Sequence, residues 1–131
     1  RAVTGVQTCA LPICGYVAVA LHSSCEVGVD IEQYGTRVRK VASRFIRSDE
    51  EPAMMEGDDV YALLLHWSAK EALFKLMGVE EVDFIRHLRI FPFSLSEEGE
   101  FEAREYRTGR QERYRVRYVT HPDFVLTWII K

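Results

Sequence analysis

Apolar and polar residues alternate in different periods along the chain, and the change of period marks the elements. His66 to Gly78, HWSAKEALFKLMG, has a helical period. Leu73, Leu76 and Met77 recur at three- and four-residue steps and predict one buried stripe. Gly78 is the expected stop. Upstream, Asp58 or Asp59 is a candidate cap for a helix running from near Val60 to Met77. Trp67 and Phe74 are expected in the core, and His66 is ambiguous. A second helical stretch is expected over Arg37 to Met55, with Val38, Val41, Ala42, Phe45 and Ile46 on its apolar side. Ser48 to Pro52 reads as a fresh start within it, because proline suits a first turn.

Elsewhere the period is two. Gly15 to Leu21, GYVAVAL, is short and apolar enough for a buried strand, and His22 to Ser24 for a turn. In Cys25 to Glu32, CEVGVDIE, Val27, Val29 and Ile31 share one strand face and Gly28, Asp30 and Glu32 the other. Beyond Gly78, strands are expected at Leu88 to Phe93, Gly99 to Tyr106, Glu112 to Val119 and Phe124 to Ile130. Thr108-Gly109 is a hairpin signal, and His121-Pro122 turns the chain. Arg113, Arg115 and Arg117 lie opposite Tyr114, Val116 and Tyr118 and are expected to face solvent. The pattern predicts an α+β fold, an antiparallel sheet packed on a long central helix.

Length and composition narrow this further. The 131 residues suit one domain, and 47% hydrophobic with 28% charged residues is ordinary for a globular protein. A net charge of -3 lends no support to generic nucleic-acid binding. No apolar run reaches the length of a membrane span, and no secretory layout opens the chain. Three cysteines without a CxxC pair argue against a disulfide framework or a structural zinc, so a cytoplasmic setting is expected.

Candidate chemistry sits on two elements. Asp30 and Glu32 project from one strand face about 7 Å apart, and Gly28 leaves room beside them for a ligand. Two such carboxylates repel unless a cation or proton intervenes, and hard oxygen donors suit Mg2+. The other reading is a solvated polar face. Glu71 and Lys75 are one helical turn apart, which is either an exposed ion pair or part of a site.

Taken together, Val27-Gly28-Val29-Asp30, then Trp67-Ser68-Ala69-Lys70-Glu71-Ala72 and Lys75, resemble the two-part signature of the 4'-phosphopantetheinyl transferase superfamily. The likeness covers Gly15 to about Arg89, and is nearer to the two-lobed, surfactin-synthetase-activating type than to the short trimeric one. It implies a holo-carrier-protein synthase whose fold is the C-terminal half of a pseudo-dimer. Such an enzyme moves the phosphopantetheine arm of coenzyme A to a serine of an apo acyl or peptidyl carrier protein. The resemblance further implies Mg2+ held by Asp30, Glu32 and Glu71, with Lys75 on a phosphate and Lys70 as a second, weaker contact to coenzyme A. Glu71 is then either the base for the serine proton or chiefly a metal ligand. A non-catalytic carrier-binding module of the same fold is the alternative, and an RNA-binding sheet is a third. The basic residues Arg37, Arg44 and Arg47 are expected to dock an acidic carrier.

Residues 1–14 do not resemble the rest. GVQTCALPI resembles a translated sequencing adapter, so this leader is expected to be non-native and residues 15–131 to form the transferase domain. Two-lobed relatives place a half-domain ending in Ser-His where LPIC stands here, so the 131-residue chain alone is expected to be nearly inactive.

Overall fold

Strand β4 (Val27–Gln33) and helix α2 (Asp59–Met77) are the two elements between which the rest is arranged. The computed structural model describes residues 26–52 and 59–131 in full. Of the first 25 it describes the backbone of 2–3, 6–13 and 16–22. A five-stranded antiparallel sheet has the order β4, β8 (Phe124–Ile130), β7 (Arg113–His121), β6 (Glu98–Glu105), β5 (Leu88–Ile90). Helix α2 packs on one face of it, against β4, β8, β7 and β5. A smaller sheet of β1 (Ala2–Val3), β2 (Val6–Ile13) and β3 (Tyr16–His22) pairs in sequence order, and β2 and β3 lie against β4. Cys14, Gly15 and the turn expected at Ser23 and Ser24 lie outside the described residues.

The alternation in β7 and β8 maps directly onto burial. Tyr114, Val116 and Tyr118 are buried, while Arg113, Arg115 and Arg117 are exposed and pair with Glu100 and Glu102. Strands β7 and β8 turn through Pro122 and Asp123, with His121 opposite Phe124. Between β6 and β7 the loop is longer than a two-residue hairpin. The buried Glu105 carboxylate organises it, accepting from Thr108 N, Thr108 Oγ1 and Glu112 N, and Gln111 takes the left-handed φ of 50°.

Several expectations are corrected by packing. The stretch from Arg37 is mostly not helical: it holds α1 (Val38–Val41), one 3-10 turn (Ala42–Arg44) and then turns, and 53–58 lie outside the described residues. The cause is Glu50, which accepts from Arg47 N and draws the chain toward a buried lysine on α2. Helix α2 buries more than one stripe: His66, Ser68 and Lys70 are as hidden as Leu65 and Leu73. Phe74, expected inside, is 37% exposed. Asp59 lies in the first turn of α2, paired with Arg39, and Asp58 is outside the described residues.

Gly28 is the sharpest correction. Its face is not open to a ligand, because α2 lies on it. A Cβ there would sit 2.3 Å from the Ala72 carbonyl oxygen and 3.1 Å from Leu76 Cβ. Glycine is therefore what lets strand and helix backbones meet. Gly28→Ala is expected to cost about 2 kcal/mol through overpacking, measured as a lower urea midpoint at constant m-value; an unchanged midpoint would contradict the close approach.

Candidate active site

The strand-helix contact that Gly28 permits decides what Asp30 faces. Asp30 is only 3% exposed, so the solvated-face reading of DIE fails at that residue. Lys75, from the last turn of α2, donates to Asp30 Oδ1 at 2.9 Å and reaches Val29 O at 3.5 Å. The second oxygen, Oδ2, is buried and accepts no hydrogen bond from any described residue. A buried carboxylate oxygen without a donor is costly, so it marks a place for a cation or proton.

Glu32 and Glu71 lie near enough to feel the Asp30 charge. Burial first, then the neighbouring Asp30 carboxylate and the charge of Glu71, push the Glu32 carboxyl up to about 9. The Trp67 side chain beside it opposes that rise. Burial and the Asp30 charge also raise Glu71, with Lys75 pulling the other way. Three carboxyls thus repel one another beside one ammonium group. Among the described residues, no set of three or more His, Cys, Asp or Glu is drawn close enough to hold a metal ion. The donor chemistry still fits a hard divalent cation. It is all oxygen, it includes an orphaned buried atom, and such ions take only one or two carboxylates when a phosphate completes the shell.

Two motif residues support the site: Ser68 in a role the sequence pattern did not show, and Trp67 packed inside as expected. Ser68 Oγ bonds Thr127 Oγ1 at 2.8 Å and donates to Asp30 O at 3.4 Å, locking α2 to β4 and β8. Trp67 is held between Phe45 and Phe84, with ring centroids 5.3 and 5.4 Å away. Both sit in the motif beside the charged positions. Glu32 and Trp67 also border a cavity of about 240 Å³ whose apolar wall is Val38, Val41 and Leu64.

Lys70 is not at this site. It is fully buried on the far side of α2, bonded to Glu50 Oε1 at 2.9 Å, Phe45 O at 2.5 Å and Phe84 O at 3.0 Å. Burial lowers its affinity for a proton, and the Glu50 charge works against that. A residue so enclosed has no route to coenzyme A, and its role is to hold the scaffold. Arg47 is likewise unavailable for docking a carrier. It forks onto Asp49 and donates to the carbonyls of Ile85 and Arg86. His66 is buried, bonded to Ala62 O, and burial lowers its pKa.

No helix among the described residues is long and apolar enough to cross a membrane. No curated protein matches the chain. A family profile does, over residues 26–129, from the residue before β4 to the penultimate residue of β8. The matched span contains β4, α2 and these charged residues, and it covers most of the sequence. The chain belongs to the 4'-phosphopantetheinyl transferase superfamily.

Proposed function

We propose that this protein is a holo-carrier-protein synthase, using Mg2+ to transfer 4'-phosphopantetheine from coenzyme A to a serine of an apo carrier protein in the cytoplasm. The observation that supports it best is the Lys75–Asp30 ion pair between α2 and β4, with Glu32 and Glu71 near enough to feel the Asp30 charge, in a chain of this family. In the reaction the serine oxygen bonds the phosphorus that carries pantetheine. The pyrophosphate P–O bond breaks, and adenosine 3',5'-bisphosphate leaves with the electron pair. The serine proton passes to Glu71, whose raised pKa suits a general base. Lys75 supplies positive charge to the leaving phosphate. A bound Mg2+ would be held by Asp30 together with Glu32 or Glu71, since the three carboxyls do not close on one point, and would neutralise the pyrophosphate. The fold is read as the C-terminal half of a two-lobed enzyme, with residues 1–14 as a non-native leader. Arg37 and Arg44, both exposed, are the remaining basic candidates for docking the carrier.

The test is carrier mass. The complete open reading frame, incubated with coenzyme A, Mg2+ and an apo carrier, is expected to raise the carrier's mass by one phosphopantetheine arm. Carrier binding without that increase would instead support a non-catalytic module. The cation is tested separately on the chain itself. Millimolar Mg2+ is expected to raise Tm by about 3 °C through binding to the folded state, and Asp30→Asn to abolish the rise. An equal rise in Asp30→Asn would remove Asp30 as a ligand.

A further inference from the structure

Lys75 has one ammonium group and two partners to serve. In the folded chain it donates to Asp30 Oδ1 at 2.9 Å and reaches Val29 O at 3.5 Å. The proposed reaction needs the same group on the leaving phosphate. Glu71 is one turn away on the same helix, yet the ion pair is with Asp30, across the contact between α2 and β4.

The two sides of that pair are unequal. The Asp30 side chain is 5% exposed and is fixed at the middle of β4, opposite Thr127 on β8. The Lys75 side chain is 29% exposed, in the last turn of α2. Its charge ends a flexible four-carbon stem, so the ammonium can swing to solvent while the backbone stays still. The carboxylate cannot follow it. Asp30 is therefore neutralised in place, by Lys75 or by another cation, because a buried carboxylate without a counter-charge is costly. Oδ2, the oxygen that Lys75 does not take, is buried and has no donor among the described residues. A stronger cation can enter there and displace the ammonium.

We propose that Lys75 is a built-in stand-in for the divalent cation: it neutralises Asp30 until a hard divalent ion binds, then leaves the carboxylate and turns to a phosphate oxygen. Charge drives the exchange. Asp30 gains twice the charge from a divalent ion that it gains from an ammonium, and Glu32 and Glu71 stand near enough to add to the attraction. The two cations on one carboxyl repel each other at close range, so Lys75 is pushed outward. Lysine suits this role because it is a point charge, whereas an arginine fork grips both oxygens of a carboxylate. The exchange also sets an order. Lys75 is released for phosphate only where the ion is already in place, so an incoming pyrophosphate meets both charges together. The proposal rests on the cation reading of this site and is independent of the carrier.

The experiment is competitive labelling of the full chain. The EDTA-treated protein is acetylated at fixed pH with limiting acetic anhydride, with and without millimolar Mg2+, and each lysine is quantified by peptide mass spectrometry. Lys75 is expected to label about fivefold faster with Mg2+, because its ammonium has left Asp30. The exposed Lys40 of α1 is the reference and should not change. In Asp30→Asn, Lys75 should label fast and ignore Mg2+. Titrating Tm with Mg2+ in Lys75→Met should give a midpoint about tenfold lower than in the parent, since no ammonium has to be displaced. The labelling uses the parent chain, so it decides the matter even if Lys75→Met fails to fold. A Tm that rises with Mg2+ while Lys75 labels no faster, or a folded Lys75→Met that binds Mg2+ no more tightly, would show lysine and ion sharing Asp30 and would overturn the exchange alone. No Mg2+-dependent rise in the parent's Tm would remove the cation reading and the exchange with it.

Discussion

Lys70→Ala is expected to lower the unfolding free energy by about 4 kcal/mol, the range for breaking one side of a buried ion pair. Lys70 and Glu50 are both wholly enclosed, so neither charge has water to fall back on. Removing the ammonium group leaves the Glu50 carboxylate with only the N–H groups of Arg47 and Ile90. It also strips a donor from the carbonyls of Phe45 and Phe84. For a chain of this size the loss corresponds to a Tm drop of about 15 °C. Lys70→Met/Glu50→Gln is expected to recover about half of it. The charge disappears and the Gln carbonyl still accepts one of the two N–H groups, while the other stays orphaned. Urea unfolding of the three variants checks this. A loss under about 1 kcal/mol in Lys70→Ala would mean that water reaches the pair.

That pair also shows where sequence reading stops. Alternation located β7, because one of its faces is buried and the other wet, and apolar density located β8, whose second face is half-covered. The bounds of α2 were legible within a residue for the matching reason at period 3.6. Helical spacing also placed Glu71 and Lys75 on one face and Lys70 on another. It could not say what each face meets. Lys70 meets Glu50, twenty positions earlier, in a segment whose helical pattern the structure breaks. Lys75 meets Asp30, forty-five positions earlier. The family signature implied that Asp30 and Lys75 serve one site, but with Lys75 on a phosphate, and tertiary packing supplied both pairings. Gly28 was misread because strand glycine permits either a ligand or another backbone to approach, and only the position of α2 decides which.

The carboxyls on the other face of α2 are expected to behave in the opposite way to Lys70. Glu32→Gln should make the metal-free chain more stable at pH 8, by about 2 kcal/mol. Glu32 has its pKa raised from 4.5 in the unfolded chain to about 9 in the folded one, by burial and then by Asp30 and Glu71. Between those values the folded state holds a proton that the unfolded state has released. Stability therefore falls as pH rises through the window, and most of the loss is present by pH 8. Glutamine has no proton to lose, so the variant's stability should be nearly flat over the same range. On the transferase reading, Glu32→Gln and Glu71→Gln, made in the complete open reading frame, should each lower carrier modification about a thousandfold, within the usual span for losing a catalytic acid-base or charge-stabilising group. A residue serving only the scaffold would lose stability and activity together, as Lys70→Ala should. On that reading, carboxyls crowded for a cation separate the two, because folding is strained by what the reaction uses. Thermal unfolding from pH 5 to 9, alongside carrier mass, reads both. A Glu32→Gln chain no more stable than its parent at pH 8 would show that the carboxyls do not crowd one another. Higher stability with undiminished transfer would leave the crowding but take Glu32 out of the reaction.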